Sequence, residues 1–440
     1  MVHCNEQSTM NDEHEIPRKT ARGISLTKFR TLRKMTIITG LSGNEIFCLQ
    51  CQGFKPGSLV IGNSVISLGL IGSIGSGLKT LFGGEVHQVT HIIQVGRQRA
   101  YRRMIAEANR KGGVGITGVS NELIIHGTNI EFLAIGSCVH RAEAHIQSLE
   151  FSTSADGQAL YCQIDAGFQP KQFVFGNVAY SVGLGGGLIG VLRSFVRGEI
   201  KEFSQIFQET RHLALKRIKS EAREVGANAV IGINTAIIPF AGMQEMVMIG
   251  TASEHPGLPA RFSQNPITSD LTNEEMWNLI NLGYMPVQLV LGVSVYSLGF
   301  VGGITSFFKS LVRGEIKELT TLIYEAREKA LAHIEEEAKR YHADEVVGIK
   351  TYVYNLGGGI IEFLAIGTAV QKMPGIGTSS DNLLPQAIIR DRDTFINTAN
   401  TTSSTSLNQP TNTANFVIIF AGFGAFAIYV LSILFHFLFR

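Results

Sequence analysis

Apolar residues recur at three- and four-residue steps through a long charged segment from Glu315 to Tyr341. This spacing places them on one stripe of an α-helix. Similar segments begin at Glu85 and Glu199, and a glycine precedes each of the three acids. We therefore expect three long amphipathic helices, each with a glycine N-cap and with Glu85, Glu199 or Glu315 in its first turn.

Runs of apolar and β-branched residues surround the helical segment and predict strands. One run, Leu289 to Val295, is bounded by Pro286 and by glycines, and two more follow the helix around residues 345–354 and 361–370. An earlier partner strand is expected around Met276 to Ile280. A long helix packed on a small sheet makes an α+β domain.

This pattern occurs three times along the chain. The aligned segments start at Gly53, Gly167 and Gly283 and read GFKPGSLVIGNSVISLG, GFQPKQFVFGNVAYSVG and GYMPVQLVLGVSVYSLG. Their register continues to IEFLAIGSCV, QEMVMIGTAS and IEFLAIGTAV. Each copy has about 105 residues, which is the size of a domain and not of a short solenoid repeat. The predicted domains are residues 35–141, 151–255 and 267–372.

The C-terminal part of the chain has a different composition. Residues 373–415 end in a stretch of mostly Ser, Thr and Asn, so a flexible polar linker is expected there. Residues 416–439 carry no formal charge and form a helix of about 36 Å, long enough to cross a hydrocarbon core of about 30 Å. We expect one transmembrane helix, with the preceding domains on the cytoplasmic side.

Overall charge and cysteine content narrow the function classes. The formal net charge of +2, from 38 basic and 36 acidic residues, does not favour a specific nucleic-acid partner. Five cysteines in 440 residues fit a reducing compartment and not a disulfide framework. The basic N-terminal arm, residues 1–34, is either solvated and disordered or in contact with an anionic membrane surface.

The sequence contains a few candidate ligands for a metal ion. Cys48 and Cys51 form a CxxC pair, and Cys138 is a conceivable third ligand for a transition metal. On an extended strand, residues three apart face opposite sides, and the other repeats do not keep the pair. Packed free cysteines are therefore the preferred interpretation, and no cofactor is expected. His87 and His91, four apart on a helix, are a weaker candidate pair.

Charged residues recur at four equivalent places in the repeats. They are Glu85, Glu199 and Glu315; Arg97, Arg211 and Arg327; Glu107, Glu221 and Glu337; and Glu131, Glu245 and Glu362. Their spread over helices and a strand is more typical of caps and ion pairs than of an active site. The chain also lacks a nucleophile elbow, a phosphate-binding loop and a His-Glu-x-x-His motif, so we do not expect an enzyme.

The third repeat resembles a known family. LVRGEIKELTTLIYEAREKALAHIEEEAKRYHADEVVGI, with the later IEFLAIGTAV, is similar to YbjQ-like proteins, whose pattern includes a glutamate-rich helix, a GAxAVVG strand and a terminal GTAV strand. The second repeat matches through REVGANAVIGI, whereas GGVGITGV makes the first degenerate. This resemblance covers about residues 36–372. It implies cytosolic oligomers, five-membered rings among them, and heavy-metal binding.

Each repeat also contains an uncharged run, at residues 59–78, 173–192 and 289–308. Glycines in these runs are spaced for close helix packing, and the interface candidates are Gly69, Gly72, Gly183, Gly187, Gly299 and Gly303. Each run could be a buried strand followed by an oligomer-interface helix, a membrane-dipping hairpin or a full span. The first interpretation is preferred because the strand part resembles a soluble family and glycines weaken insertion.

These patterns predict a tail-anchored membrane protein whose three YbjQ-like domains form a non-catalytic oligomeric scaffold or binding assembly. Its expected partners are further copies of the chain, the lipid bilayer and protein clients. A heavy-metal-binding or metal-stress protein is the alternative. Three domains do not divide a ring of five. Either each chain contributes one domain to each of three stacked rings, or the copies have diverged into a different closed symmetry, and stacking is preferred.

Overall fold

A computed structural model describes residues 36–67, 84–126, 129–141, 149–181, 198–240, 243–297, 317–357 and 360–384. The predictions for the arm at residues 1–34, the six interface glycines and the transmembrane segment 416–439 lie outside the described residues. In the described part, no helix combines the length and the apolar character that crossing a membrane requires.

Three domains follow one another, and each contains a short helix, a long strand, a long helix and two further long strands in the same order. Domain 1 contains α1 (Gly43–Cys51), β1 (Phe54–Ser67), β2 (Gly84–Glu85), α2 (His87–Arg110), β3 (Gly115–His126) and β4 (Asn129–Arg141). Domain 2 contains β5 (Phe151–Ser152), α3 (Gly157–Asp165), β6 (Gln169–Ser181), β7 (Gly198–Glu199), α4 (Lys201–Glu224), β8 (Ala229–Phe240) and β9 (Met243–Glu254). Domain 3 contains α5 (Arg261–Gln264), β10 (Ile267–Thr268), α6 (Asn273–Asn281), β11 (Tyr284–Ser297), α7 (Lys317–Arg340), β12 (Glu345–Gly357) and β13 (Ile360–Lys372).

Each domain is built on three long antiparallel strands and one long helix. The last strand lies in the middle of the three, so the orders are β1-β4-β3, β6-β9-β8 and β11-β13-β12. The long helices α2, α4 and α7 pack on the first strands β1, β6 and β11. The predicted α+β architecture, the long helices and these strands are confirmed.

The prediction of a strand around Met276 to Ile280 is wrong. These residues belong to the helix α6, and their burial repeats with helical spacing because Met276, Trp277 and Ile280 face the core. A capping box begins the helix: the Thr272 hydroxyl accepts the Glu275 N–H at 3.2 Å, and the Glu275 carboxylate accepts the Thr272 N–H at 2.9 Å. Equivalent helices α1 and α3 stand in the other two domains, so Cys48 and Cys51 lie on a helix and not on a strand.

Glycine N-caps on the long helices are also not observed. Helices α2 and α4 begin at His87 and Lys201, with Val86 and Ile200 at the N-cap and no side-chain cap. Glu85 and Glu199 precede the helices in the short strands β2 and β7. Strand pairing with the next domain holds these residues in extended backbone, which delays the start of the helix. The third acid, Glu315, lies outside the described residues.

A glycine allows each long helix to cross its strand. At Gly62, Gly176 and Gly292 an added Cβ would overlap a carbonyl oxygen of the helix above, namely that of Ala100, Ala214 or Ala330. About two turns after that alanine, each long helix carries a glutamate whose carboxylate accepts a backbone N–H of the same strand. The pairs are Glu107 with Ile61 at 2.7 Å, Glu221 with Phe175 at 3.0 Å and Glu337 with Leu291 at 2.9 Å. The recurrent glutamate therefore fastens the helix to its strand.

Candidate functional site

The same contact joins domain 1 to domain 2 and domain 2 to domain 3. The short strand β2 pairs antiparallel with β6 of the following domain, and β7 pairs in the same way with β11. Directly after these strands, the N–H of Val86 donates to the carbonyl of Ala179 at 2.8 Å, and that of Ile200 donates to the carbonyl of Val295 at 2.8 Å. Each domain thus adds a strand to the sheet of the next domain.

A hydroxyl on each long helix completes this junction. Thr90 of α2 accepts the N–H of Ala179 at 2.9 Å, and Ser204 of α4 accepts the N–H of Val295 at 2.9 Å. Both hydroxyl residues are buried. Because these positions are equivalent in the aligned repeats, the two junctions share side-chain chemistry as well as backbone pairing.

A buried ion pair lies at the centre of each junction. Arg97 of domain 1 binds Glu245 of domain 2 through two hydrogen bonds of 2.8 and 3.2 Å. Arg211 of domain 2 binds Glu362 of domain 3 at 2.7, 2.8 and 3.2 Å. All four side chains are 0% exposed. The prediction that the recurrent charges include ion pairs is confirmed, and both pairs connect different domains.

The surroundings of the two arginines differ. Arg97 also donates to the carbonyl and the side-chain oxygen of Asn121 at 2.7 and 3.1 Å. Arg211 instead lies over the ring of Tyr180, with its central carbon 4.6 Å from the ring centroid. Burial alone would lower the pKa of Arg211, but Glu362 and Tyr180 raise it above its ordinary value, so the guanidinium stays charged.

The segments between domains, residues 151–153 and 267–269, are buried and contact both domains of each junction, and we call them straps. The short strand β5 pairs in parallel with β3 of domain 1, and β10 pairs in parallel with β8 of domain 2. After β5, the Thr153 hydroxyl meets that of Thr251 in β9 at 2.8 Å. After β10, the Ser269 hydroxyl meets that of Thr368 in β13 at 3.3 Å.

Apolar residues from adjacent domains share common cores. One core contains Phe132 of domain 1 together with Phe173 and Phe175 of domain 2. Another contains Phe207 of domain 2 together with Leu291 and Val295 of domain 3. Each junction therefore has the character of a domain interior, as permanent interfaces do.

The candidate metal ligands are not brought into one cluster. Cys48 is buried on α1, Cys51 is exposed at the end of the same helix, and Cys138 is buried in β4 within a different core. Burial raises the pKa of Cys138 to about 11, which disfavours the thiolate that a metal needs. Among the described residues, no group of three His, Cys, Asp or Glu side chains could hold a metal ion. His87 and His91 are exposed on α2.

Glu85 and Glu199 belong to the junctions. Arg217 of domain 2 binds the Glu85 carboxylate at 2.7 Å, and Lys329 of domain 3 lies 3.8 Å from that of Glu199. Recurrence between repeats identified these acids and the arginines in the sequence. Sequence reasoning did not identify Thr90, Ser204 or the straps, although they also occupy aligned positions in the repeats.

Comparison with known proteins agrees with the repeat structure. A family model with the description "Putative heavy-metal-binding", named YbjQ, matches residues 55–141, 168–255 and 284–373. An encapsulin nanocompartment protein of Mycobacterium tuberculosis is 32% identical over 229 residues, which cover 49% of this chain and 85% of that protein. UPF0145 proteins of Methanocella arvoryzae and Thermoplasma volcanium are 38% and 41% identical over 81 and 80 residues, or 18% of this chain and 68% and 66% of theirs. The chain belongs to the YbjQ family, of which it contains three tandem copies.

Proposed function

We propose that this protein is a non-catalytic assembly subunit, a scaffold or binding protein that associates with further copies of itself. The observation that carries the proposal is the junction built twice in one chain, with a buried Arg–Glu pair, strand pairing and a shared apolar core each time. A surface that joins like domains within one chain can also join like domains of different copies.

Similarity to an encapsulin nanocompartment protein supports an assembly role, because that relative is named for a nanocompartment. The similarity extends over 229 residues and therefore exceeds the length of one repeat. Nothing in this similarity requires a reaction, and the recurrent Arg–Glu pairs inside the chain serve structural contacts. The protein clients of such a scaffold would bind to surfaces of the assembly and not to a catalytic centre.

The proposed location is the cytoplasmic face of a membrane, with residues 416–439 as the anchor and the polar residues before them as a tether. The uncharged length of this segment supports the anchor. The lipid bilayer is then a partner of the tail, while the domains remain available to other copies of the chain.

The test uses the full chain in mild detergent and a variant that lacks residues 416–440. We expect the full chain to sediment with membranes and to have a mass of several chains, and the truncated chain to be in the soluble fraction. A monomeric full chain would contradict the scaffold. Retention of the truncated chain in membranes after an alkaline wash would contradict the tail as the anchor.

Heavy-metal binding is the alternative that the family description suggests. The described donor set does not fit it, because Cys48 and Cys138 lie in separate cores. Elemental analysis of the purified protein decides between the two functions. A metal that persists through purification and disappears in the Cys48→Ser, Cys51→Ser variant would favour the alternative.

A further inference from the structure

The two junctions use two of the three recurrent arginines and two of the three recurrent glutamates at these places, which leaves an arginine in domain 3 and a glutamate in domain 1. Arg327 on α7 occupies the place of Arg97 and Arg211, and Glu131 on β4 occupies the place of Glu245 and Glu362. The internal equivalents are fully buried, whereas Arg327 is exposed and the Glu131 side chain is 22% exposed beside His126. Domain 3 therefore carries the arginine side of a further junction, and domain 1 carries the glutamate side.

The apolar surface around Glu131 is uncovered in the same selective way. Ile61 and Val65 of β1 are 46% and 59% exposed. Their equivalents lie beneath the helix of the preceding domain and are buried, namely Phe175 and Ala179 in β6 and Leu291 and Val295 in β11. A strand with an exposed apolar face is typical of a surface that binds another protein.

The matching surface of domain 3 is also open. Tyr324 on α7 is 62% exposed, and Ile349 and Val353 on β12 are about half exposed. In domain 2, the equivalents of the two β12 residues are Ile233, which is buried, and Ile237, which is partly buried; both join the core shared with domain 3. The face of domain 3 therefore carries the apolar half of a third junction.

The strap of this third junction is present too. Residues Ile37 and Ile38 align with the strands β5 and β10, which pair in parallel with the preceding domain. Ile38 is 74% exposed, whereas the aligned Ser152 and Thr268 are 2% and 0% exposed. No domain precedes Ile38 in the described part of the chain, and β12 is the strand of domain 3 that corresponds to β3 and β8.

We propose that domain 3 of one chain binds domain 1 of a second copy through this same junction, with Arg327 paired to Glu131 of the partner copy. In this contact α7 covers Ile61 and Val65 of the partner copy, and the partner's Ile38 segment adds to β12. The inference rests on the proposed self-association and names the surface that produces it. It is a head-to-tail contact, which closes into a ring or continues as an open array, in either case with domains in multiples of three.

This arrangement differs from the stacked rings expected from the sequence. In a stack, domains of one chain would meet through a surface other than the one that joins chains. The open surfaces of domains 1 and 3 are instead of the same kind as the surfaces that join domains inside the chain. Consecutive domains therefore occupy consecutive places along one assembly.

Charge reversal tests the contact in the full chain in detergent. Arg327→Glu and Glu131→Arg each place like charges opposite one another, so each should weaken self-association at least tenfold. Neither residue is buried, so both variants should keep the circular dichroism of the parent. Glu325→Arg on the same helix is the matched control, because its equivalent Glu209 stays exposed although α4 is covered by domain 3. The control should assemble as the parent does.

Restoring opposite charges makes the test specific. The double variant Arg327→Glu, Glu131→Arg exchanges the two charges, so every contact between copies again joins a carboxylate to a guanidinium. It should recover the mass of the parent assembly, and a double variant as weakly associated as the single ones would contradict the pairing. Failure of both single variants to change the mass of an assembled chain would overturn this contact and leave the scaffold function standing. A monomeric parent chain would overturn both.

Discussion

At the scale of the residue, recurrence predicted which charged residues are structurally important but not which residues they pair with. Arg97 and Glu245 stand at equivalent places in different repeats, and a single repeat contains both types. Pairing within a repeat was therefore as compatible with the sequence as pairing between repeats. Only the packing of α2 against domain 2 decides it, because that packing buries both groups at the junction. Buried charges demand such partners, since an unpaired one is very costly.

Glu221 should give the fold a dependence on pH. Burial raises its pKa to about 7. An unfolded glutamate titrates near 4.3, so between about pH 4.5 and 7 the folded chain holds a proton that the unfolded chain has lost. The free energy of unfolding contributed by this group therefore falls as the pH rises through that window and is constant above it.

Glu221→Gln removes this titration and keeps an oxygen that accepts the N–H of Phe175. We expect the variant to gain stability relative to the parent from pH 5 to pH 8, by up to about 3 kcal/mol. Urea denaturation at several pH values measures the difference. Glu209→Gln, on the exposed face of α4, is the control and should follow the parent at every pH. A constant difference between the Glu221 variant and the parent would contradict the shifted pKa.

At the scale of the element, the long periodic segments were predictable and the short ones were not. The stripe from Glu315 to Tyr341 identifies α7 because it extends over many turns. The nine residues of α6 are too few for apolar spacing to separate a helix from a strand. The decisive signal was local, since Thr272 and Glu275 have the spacing of a capping box. The expectation of a strand overlooked it.

The crossing of α4 over β6 depends on the missing side chain of Gly176. An added Cβ would overlap the carbonyl oxygen of Ala214, so Gly176→Ala must push the helix from the strand. We expect a loss of about 1–3 kcal/mol in the free energy of unfolding, as overpacked cores show. Gly43→Ala on α1 is the control, because its Cβ would meet no atom within 4 Å. Chemical denaturation of both variants measures the effect, and equal stabilities would contradict the close approach.

At the scale of the whole molecule, the sequence predicted three like domains but not their continuity. Sequence similarity between copies says that each has the same fold. It does not say that β2 and β7 leave their own domains to pair with the next ones. The surfaces that differ between copies carry that information: β11 is buried along nearly its whole length, whereas β1 alternates between buried and exposed residues. Among the described residues, β1 is the long first strand that no other domain precedes.

Shared cores should make the three domains unfold together. Neighbouring domains are coupled by strand pairing, a buried ion pair and a common apolar interior, so opening one junction exposes the faces of two domains. The only tryptophan, Trp277, is buried on α6, and its ring N–H donates to Asp165 of domain 2 at 2.7 Å. Its fluorescence reports on domain 3 and its junction with domain 2, while far-ultraviolet circular dichroism reports on the helices of all three domains. We expect the two signals to follow the same urea transition. Separate transitions, with fluorescence following one of several steps in the dichroism, would show that the domains are independent and that the junctions contribute little to their stability.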